Sequence, residues 1–226
     1  IRNYYPMRVR ITKTALIILF VFLLALVLRI IAASNAVIGS DELVYSSLSI
    51  NILSAQRLST WQQSHLYFLL NDLGHVLMGG VTPISTRLPS IIFGAFCVFV
   101  VFLLGRDIFG RKEGLIAAFL FAVSGYILQY NNELDMSAFF FSLLSMYFFL
   151  HGLWGDGKRY FYISAAFFGL SLMIKNMVFL FVPACGFTLL YYAYIHRVTL
   201  FGEPTKRASL IKSALSTLFI CALIIL

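Results

Sequence analysis

The sequence contains few charged residues and very few acidic ones. Only 12% of its 226 residues are charged, nine are Asp or Glu, and 61% are hydrophobic. The mean hydropathy is +0.91, whereas soluble domains have about 25% charged residues. This composition excludes an ordinary soluble domain and predicts an integral membrane protein.

Cysteine is also scarce, and the net charge does not indicate a nucleic-acid partner. Cys97, Cys185 and Cys221 lie singly inside apolar runs without CxxC spacing, so disulfide and cysteine–metal sites are not expected. The formal net charge of +8 comes from basic residues in short loops between apolar runs. Such loops follow the positive-inside bias of membrane proteins, so no nucleic-acid partner is expected.

Seven long apolar runs predict membrane-spanning helices. A spanning helix needs roughly 20 mostly apolar residues to cross the hydrocarbon core. The runs are Thr14–Ala33, Leu88–Gly105, Gly114–Tyr130, Met136–Trp154, Tyr160–Ile174, Met177–Ile195 and Ala208–Leu226. We therefore expect an all-α, polytopic transmembrane protein with residues 1–226 in one membrane domain. Because the sequence begins at Ile1 and ends within an apolar run, we interpret it as the incomplete N-terminal part of a longer chain.

The distribution of basic residues predicts the orientation. The segment 65–80 is apolar but short, and if it does not span the membrane, thirteen of the seventeen basic residues fall on one side. The four on the other side are Arg29, Arg57, Arg87 and Lys175. This bias places the N-terminus in the cytoplasm and residues 34–87 in a non-cytoplasmic insertion of a multi-pass cell-membrane protein.

The insertion is predicted to contain two amphipathic helices lying at the membrane surface. Ser40 is a suitable N-cap for the first, with Asp41 and Glu42 in its first turn, where the helix dipole favours carboxylates. In the second helix Leu66, Leu69, Leu70, Leu73 and Leu77 share one face, and Asn71, Asp72 and His75 share the other. This segregation is typical of interfacial helices.

Acidic residues at the non-cytoplasmic ends of the spans are the candidate catalytic groups. Asp41 and Glu42 form the only adjacent acidic pair, and Glu133 and Asp135 lie in the loop between the third and fourth runs. Charges at membrane depth are costly and tend to mark function. There are alternatives to a catalytic role. Asp41 and Glu42 could serve only to cap a helix, and Glu133 and Asp135 could be present only because a tight loop needs polar residues.

Basic and histidine residues on the same side are candidate substrate contacts. Arg87 opens the second run and Lys175 interrupts a long apolar stretch, so each either anchors its helix at the interface or binds an anionic group. His65 and His75 are better explained as interfacial polar residues than as metal ligands, because no ligand spacing is present. No metal site is predicted from these residues.

The order of these signals resembles a known family. After the first apolar run come, in order, Ser40-Asp41-Glu42, Leu66-Tyr67-Phe68-Leu69-Leu70, Arg87-Leu88-Pro89-Ser90, Leu103 to Arg111, Leu134-Asp135-Met136 and Leu172 to Asn176. This pattern resembles the N-terminal half of the GT-C membrane glycosyltransferases, particularly protein O-mannosyltransferases and the aminoarabinose transferase of lipid A. The resemblance extends from about Leu16 to Tyr194.

The resemblance implies transfer of a sugar from a polyprenyl- or dolichyl-phosphate donor to a protein or lipid acceptor on the non-cytoplasmic face. Asp41 would be the general base or position the acceptor, with Glu42 beside it, and Asp135 would be the second acidic position. Arg87 and Lys175 would neutralise the donor phosphate, with His65 and Glu133 as further substrate contacts. No organic cofactor is expected, and a divalent cation is compatible with this family.

Two alternatives stay open. The segment Gln62-Gln63-Ser64-His65 replaces the His-Pro-Pro or Lys-Pro pattern of relatives, which would suit a non-catalytic subunit or scaffold in a membrane-protein complex. A transporter is the weaker alternative, because the ionisable residues lie at the ends of the runs rather than near mid-membrane.

Overall fold

The computed structural model describes residues 13–36, 39, 42–44, 46, 65–125, 128, 135–154, 157–175 and 186. Six helices in this part of the chain have defined bounds, and none of its residues lies in a strand. The helices are α1 (Lys13–Asn35), α2 (His65–Met78), α3 (Pro83–Ile108), α4 (Arg111–Val123), α5 (Asp135–Trp154) and α6 (Arg159–Leu172). The predicted all-α class is confirmed.

Three of these helices are long and apolar enough to cross a membrane: Lys13–Asn35, Pro83–Ile108 and Met136–Trp154. They correspond to the first, second and fourth predicted runs. The shorter α4 and α6 cover parts of the third and fifth runs. The runs 177–195 and 208–226 lie outside the described residues, apart from residue 186, so the number of seven spans stays a prediction.

Helix α1 exposes large apolar side chains on one face and buries the opposite face, which carries Ile18, Val21, Ala25, Arg29 and Ala33. Ala25 and Ala33 are buried, whereas Phe20, Val27 and Ile31 are about half exposed or more. Membrane helices pack closely through small residues, and large apolar residues suit contact with lipid. The exposed face of α1 is therefore the face of a helix that meets lipid acyl chains.

The central packing joins α1, α3 and α4. Ala25 of α1, Val98 of α3 and Ala118 of α4 belong to one buried cluster. Helices α3 and α4 approach most closely at Gly105 and Gly114, where a Cβ on Gly105 would lie 2.7 Å from the Gly114 Cα. These two glycines allow the backbones to touch, as small residues do in membrane helix pairs.

Helices α5 and α6 are joined by buried serines. The hydroxyls of Ser142 and Ser171 lie 2.7 Å apart, and those of Ser145 and Ser164 lie 3.1 Å apart. In lipid, the hydrophobic effect does not drive helices together, so hydrogen bonds between helices contribute to their association. The two helices therefore form a hydrogen-bonded pair within an apolar bundle.

Helix α3 begins earlier than the predicted run, at Pro83 rather than at Leu88. Thr82 caps it: the Thr82 side chain accepts from the Ser85 amide at 3.1 Å, and the Ser85 hydroxyl accepts from the Thr82 amide at 2.7 Å. Pro83 has the φ that a first helical position needs. The predicted start was too late because the first turn of α3 is polar and does not belong to the apolar run. Arg87 therefore lies inside the helix, whereas the predicted run placed it just before the helix.

The insertion between α1 and α3 leaves and returns at the same end of the bundle. Arg87 in the second turn of α3 donates to the Ala33 and Ala36 carbonyls at the end of α1, so these two helix ends are neighbours. Helix α2 has 14 residues, about 21 Å at 1.5 Å per residue, which is short for a hydrocarbon core of about 30 Å. This geometry agrees with an insertion that does not span.

Helix α2 packs against that end, with its polar face turned inward. Leu69, Leu73 and Leu77 are each more than half exposed, while Asn71 and Asp72 are 1% exposed. The aromatic residues at the start of α2 pack with Ala138 of α5 and Ile174 after α6. The predicted segregation is therefore present for Leu69, Leu73 and Leu77, but it is wrong for Leu66 and Leu70, which are partly buried against this cluster. The polar side of α2 contacts protein rather than water.

Candidate functional site

Buried polar side chains collect at the end of the bundle where α1 and α6 end and α3 and α5 begin, which we call the site end. The buried polar residues there are Glu42, Ser46, Asn71, Asp72, His75, Ser85, Thr86, Arg87, Ser90 and Ser137. Polar groups removed from water are costly unless they are paired. Their concentration at one end of an apolar bundle marks the candidate site.

Glu42 and Arg87 form a buried, bidentate ion pair. Arg87 Nε donates to Glu42 Oε1 at 2.6 Å, and Arg87 Nη2 donates to Glu42 Oε2 at 2.7 Å. Arg87 is fully buried and Glu42 is 5% exposed. Two parallel N–H···O bonds are the strongest geometry available to a guanidinium and a carboxylate. Each of these predicted site residues therefore neutralises the other.

Arg87 also closes the end of α1. Its Nη1 donates to the carbonyl of Ala33 and, at 3.2 Å, to that of Ala36. The last carbonyls of a helix have no partner within the helix, and a cation there complements the helix dipole. One side chain thus fixes the end of α1, the segment carrying Glu42 and the start of α3 against one another.

Further hydrogen bonds extend this arrangement along the first turns of α3. The Ser46 and Thr86 hydroxyls lie 3.1 Å apart, and His75 Nδ1 of α2 lies 2.9 Å from Ser85 Oγ. The consecutive residues Ser85, Thr86 and Arg87 therefore contact both halves of the insertion. The site end is a polar layer organised by the start of α3.

Part of the polar layer has no hydrogen-bond partner within the described part of the chain. Both side-chain polar atoms of Asn71, both carboxylate oxygens of Asp72, Nε2 of His75 and Oγ of Ser137 are buried and unpaired there. Burial raises the pKa of Asp72 to about 6 and lowers that of His75, because desolvation disfavours the charged form. This unsatisfied cluster was not predicted as a site.

The structure brings the backbones of other predicted residues to the same end. Asp135 is the first residue of α5 and His65 is the first of α2; their side chains lie outside the described set. Lys175 follows Ile174, which packs with the start of α2, and its amide donates to the Ser171 carbonyl at 3.0 Å. Asp41 and Glu133 lie outside the described residues.

The described side chains do not form a metal site, because no group of three or more His, Cys, Asp or Glu residues among them could hold a metal ion. The acidic side chains of Asp41, Glu133 and Asp135 are not among them. The compatibility with a divalent cation that the resemblance implied therefore stays a prediction.

Arg29 is a second charged residue that sequence reasoning treated only as part of the charge balance. It is fully buried in α1, its Nη1 donates to the Ala25 carbonyl at 3.3 Å, and its guanidinium carbon lies 5.4 Å from the centre of the Phe121 ring. A cation–π contact of this kind offsets part of the cost of burying the charge. An Arg inside an apolar run is the signal that could have identified it.

Solved structures share this fold. The archaeal oligosaccharyltransferase AglB from Archaeoglobus fulgidus, in complex with an inhibitory peptide and a dolichol-phosphate, matches 94% of the chain with a TM-score of 0.72 and 18% identity. The apo form of the Archaeoglobus fulgidus oligosaccharyltransferase matches 93% with a TM-score of 0.71 and 19% identity. The chain spans 29% of the length of each. No curated protein sequence matches significantly.

Residues 62–225 match the family model described as dolichyl-phosphate-mannose-protein mannosyltransferase. This match and the shared fold confirm the resemblance to GT-C membrane glycosyltransferases that the motif order indicated. More than two-thirds of the sequence lies within the matched region, which begins inside the insertion and includes α2 to α6. The chain therefore belongs to the family of dolichyl-phosphate-mannose-protein mannosyltransferases.

Proposed function

We propose that this protein transfers a sugar from a polyprenyl- or dolichyl-phosphate donor to an acceptor on the non-cytoplasmic side of the membrane. The observation that carries the proposal is the site end itself. There a buried polar layer is approached by the start of α5 with Asp135, by the segment carrying Glu42 and by Lys175, three residues after the end of α6. Family membership supplies the reaction class.

The charge distribution supports a non-cytoplasmic site. The opposite end of the described bundle carries Lys13, Arg106, Arg111, Lys112, Lys158 and Arg159. Basic residues are enriched on the cytoplasmic side of membrane proteins. The site end then faces outward, where an isoprenoid tail stays in the bilayer while its phosphate head reaches the polar layer.

The donor class is supported by the relatives. The description of the family names dolichyl-phosphate-mannose as the sugar carrier and protein as the acceptor, and one of the similar structures was solved with a dolichol-phosphate. We assign the donor phosphate to Lys175, because it directly follows Ile174, which packs with the start of α2. We assign a positioning role to the buried Glu42–Arg87 pair.

The proposed chemistry is a direct displacement at the anomeric carbon. The acceptor hydroxyl oxygen forms the new bond, the bond from the anomeric carbon to the phosphate oxygen breaks, and the lipid phosphate leaves with the electron pair. Asp41 takes the hydroxyl proton as general base, and Lys175 stabilises the charge that develops on the phosphate. Asp135 and Glu133 orient the acceptor, and His65 is a further substrate contact.

Attack from the face opposite the leaving phosphate inverts the anomeric centre. The anomeric configuration of the product therefore tests the mechanism independently of its rate, by NMR of the isolated product. A product that keeps the configuration of the donor would contradict direct displacement and would require a covalent intermediate.

The donor class is tested by measuring transfer with the full-length protein in lipid nanodiscs. We expect label to move from a polyprenyl-phosphate hexose to a peptide or lipid acceptor and not from the corresponding nucleotide sugar. Transfer from the nucleotide sugar alone would overturn the donor assignment. Absence of transfer from any lipid-phosphate hexose would favour a non-catalytic subunit.

A further inference from the structure

The inward face of α2 carries three buried polar residues, Asn71, Asp72 and His75, which we call the α2 triad. Each of them has at least one buried polar atom that makes no hydrogen bond within the described part of the chain. They are 1%, 1% and 5% exposed, respectively. Within the described part of the chain, the Asn71 amide, the Asp72 carboxylate and His75 Nε2 have no hydrogen-bond partner. Unsatisfied polar atoms at this depth destabilise a fold, so the triad needs an explanation outside fold stability.

The hydrogen bonds of Ser85 determine what His75 offers. The Ser85 hydroxyl has one proton, and its oxygen lies 2.8 Å from the Thr82 carbonyl, which can only accept. We assign the proton to that bond, so His75 Nδ1–H donates to Ser85 Oγ across 2.9 Å. Nε2 of the neutral ring is then an acceptor. The triad therefore presents carboxylate, imidazole and amide acceptors and one amide donor.

This donor and acceptor set limits the ligand. A phosphate would be repelled by the Asp72 carboxylate, and an apolar group would leave every triad atom unsatisfied. A tightly held divalent cation needs more anionic or imidazole ligands than the described side chains provide. A neutral ligand with several hydroxyl groups can donate to the acceptors and accept from the Asn71 amide.

The position of the triad relates it to the other groups of the site end. His75 contacts Ser85, which precedes Arg87 by two residues. At the start of the same helix, Tyr67 and Phe68 pack with Ala138 and with Ile174, the neighbour of Lys175. At one end of the triad, His75 contacts the start of α3. Before the triad, Tyr67 and Phe68 of the same helix pack near the start of α5 and the end of α6.

We infer that the α2 triad is a subsite for the hydroxyl groups of the transferred sugar. This inference rests on the proposed function. It names the residues that distinguish a lipid phosphate carrying a sugar from the bare lipid phosphate. The sugar hydroxyls replace the hydrogen bonds that Asn71, Asp72 and His75 lack in the fold. The triad and Lys175 then contact different parts of one donor.

The test measures binding of two probes to the full-length protein in nanodiscs. The probes are a polyprenyl-phosphate hexose, tried with mannose, glucose and galactose, and the bare polyprenyl phosphate. We expect the wild type to bind one hexose form about tenfold or more tightly than the bare lipid, because several hydrogen bonds are added. Asp72→Leu and Asn71→Leu should remove this preference and leave binding of the bare lipid unchanged.

Two further variants separate ligand binding from folding. Asp72→Asn keeps the size of the side chain and should also reduce the preference, which covers the case in which Asp72→Leu fails to fold. Leu77→Ala lies on the same helix but is 64% exposed, and it should keep the wild-type preference. A loss in Leu77→Ala equal to that in Asp72→Asn would show a general effect of disturbing α2 and overturn the inference.

The possible failures are distinguishable. If the wild type binds neither probe, the proposed function is wrong. If it binds both equally, or if its preference for the hexose form survives in the folded triad variants, the proposed function stands and the sugar subsite is wrong.

Discussion

At the residue scale, the Glu42–Arg87 pair decides how the insertion is held. Both residues are almost completely buried, and Arg87 also closes the end of α1. A buried pair of this kind gives little net stability compared with apolar residues, but removing one partner leaves an uncompensated charge. Its value here is positional, because the pair fixes the residue that directly follows Asp41.

We predict that the single variants Arg87→Met and Glu42→Gln are each destabilised, Arg87→Met by about 3–5 kcal/mol because it leaves the Glu42 charge unpaired. The double variant should be more stable than the sum of the two losses indicates. Unfolding of the protein in nanodiscs, analysed as a double-mutant cycle, measures this coupling. Strictly additive losses would show that the two side chains do not interact.

Asp72 predicts a specific pH dependence. Its pKa is raised to about 6 in the folded protein, whereas an unfolded Asp titrates near 3.9. The folded state therefore favours the protonated form, and stability falls as the pH rises from about 4 to 6, by roughly 3 kcal/mol. Below pH 4 the carboxyl group is protonated in both states and contributes no penalty.

Asp72→Asn should remove this dependence. The free energy of unfolding of Asp72→Asn minus that of the wild type should increase between about pH 4 and pH 6 and stay constant above it. Thermal unfolding of both proteins across this range measures the difference. A difference that decreases with pH would mean that the folded protein stabilises the charged form of Asp72.

At the element scale, α2 is held against α3 by a close backbone contact at Gly74. A Cβ at this position would lie 2.2 Å from the Ser85 carbonyl oxygen. That oxygen is left without a helical donor, because the residue four positions later is Pro89. The polar face of α2 can therefore pack directly against the first turns of α3 only while residue 74 has no side chain.

We predict that Gly74→Ala lowers stability by about 1–3 kcal/mol because α2 must move away from α3. Gly80→Ala is the matched control, since a Cβ there meets no atom within 4 Å, and it should leave stability nearly unchanged. Hydrogen exchange of the α2 amides should increase in Gly74→Ala alone. Equal behaviour of the two variants would show that the close contact does not hold α2.

The same element shows what sequence could predict. The segregation of leucines from Asn71, Asp72 and His75 was visible at helical spacing, but in a membrane the apolar face meets lipid and the polar face can meet either water or protein. Periodicity does not distinguish these environments. The pairing of Glu42 with Arg87 was equally inaccessible, because 45 residues separate them and no local pattern relates them.

At the scale of the whole molecule, the apolar runs predicted the all-α class, which is confirmed, and seven spans, three of which coincide with described helices that are long and apolar enough to cross a membrane. The runs also predicted that the candidate site lies at one end of the bundle, since the ionisable residues stood at matching ends of the runs, and this location stays a prediction. Hydropathy misplaced the start of α3 by five residues because the polar capping turn belongs to the helix but not to the apolar run.

The orientation gives a prediction for the entire bundle. Val81, before α3, and Phe109, after it, lie at opposite ends of a spanning helix and are 50% and 75% exposed. In a protein whose cysteines are replaced by Ala, Val81→Cys should react with an impermeant maleimide added outside intact cells. Phe109→Cys should react only after permeabilisation. The reverse pattern would place the site end in the cytoplasm.

We propose that the site end performs sugar transfer with Asp41 as general base. The most direct test of this proposal is the rate of transfer from a polyprenyl-phosphate hexose by full-length Asp41→Asn compared with Glu113→Gln. Glu113 is an exposed carboxylate at the opposite end of the bundle. We expect a loss of at least about 100-fold for Asp41→Asn and a wild-type rate for Glu113→Gln. An Asp41→Asn protein that transfers sugar at the wild-type rate would contradict the assignment of Asp41 as general base.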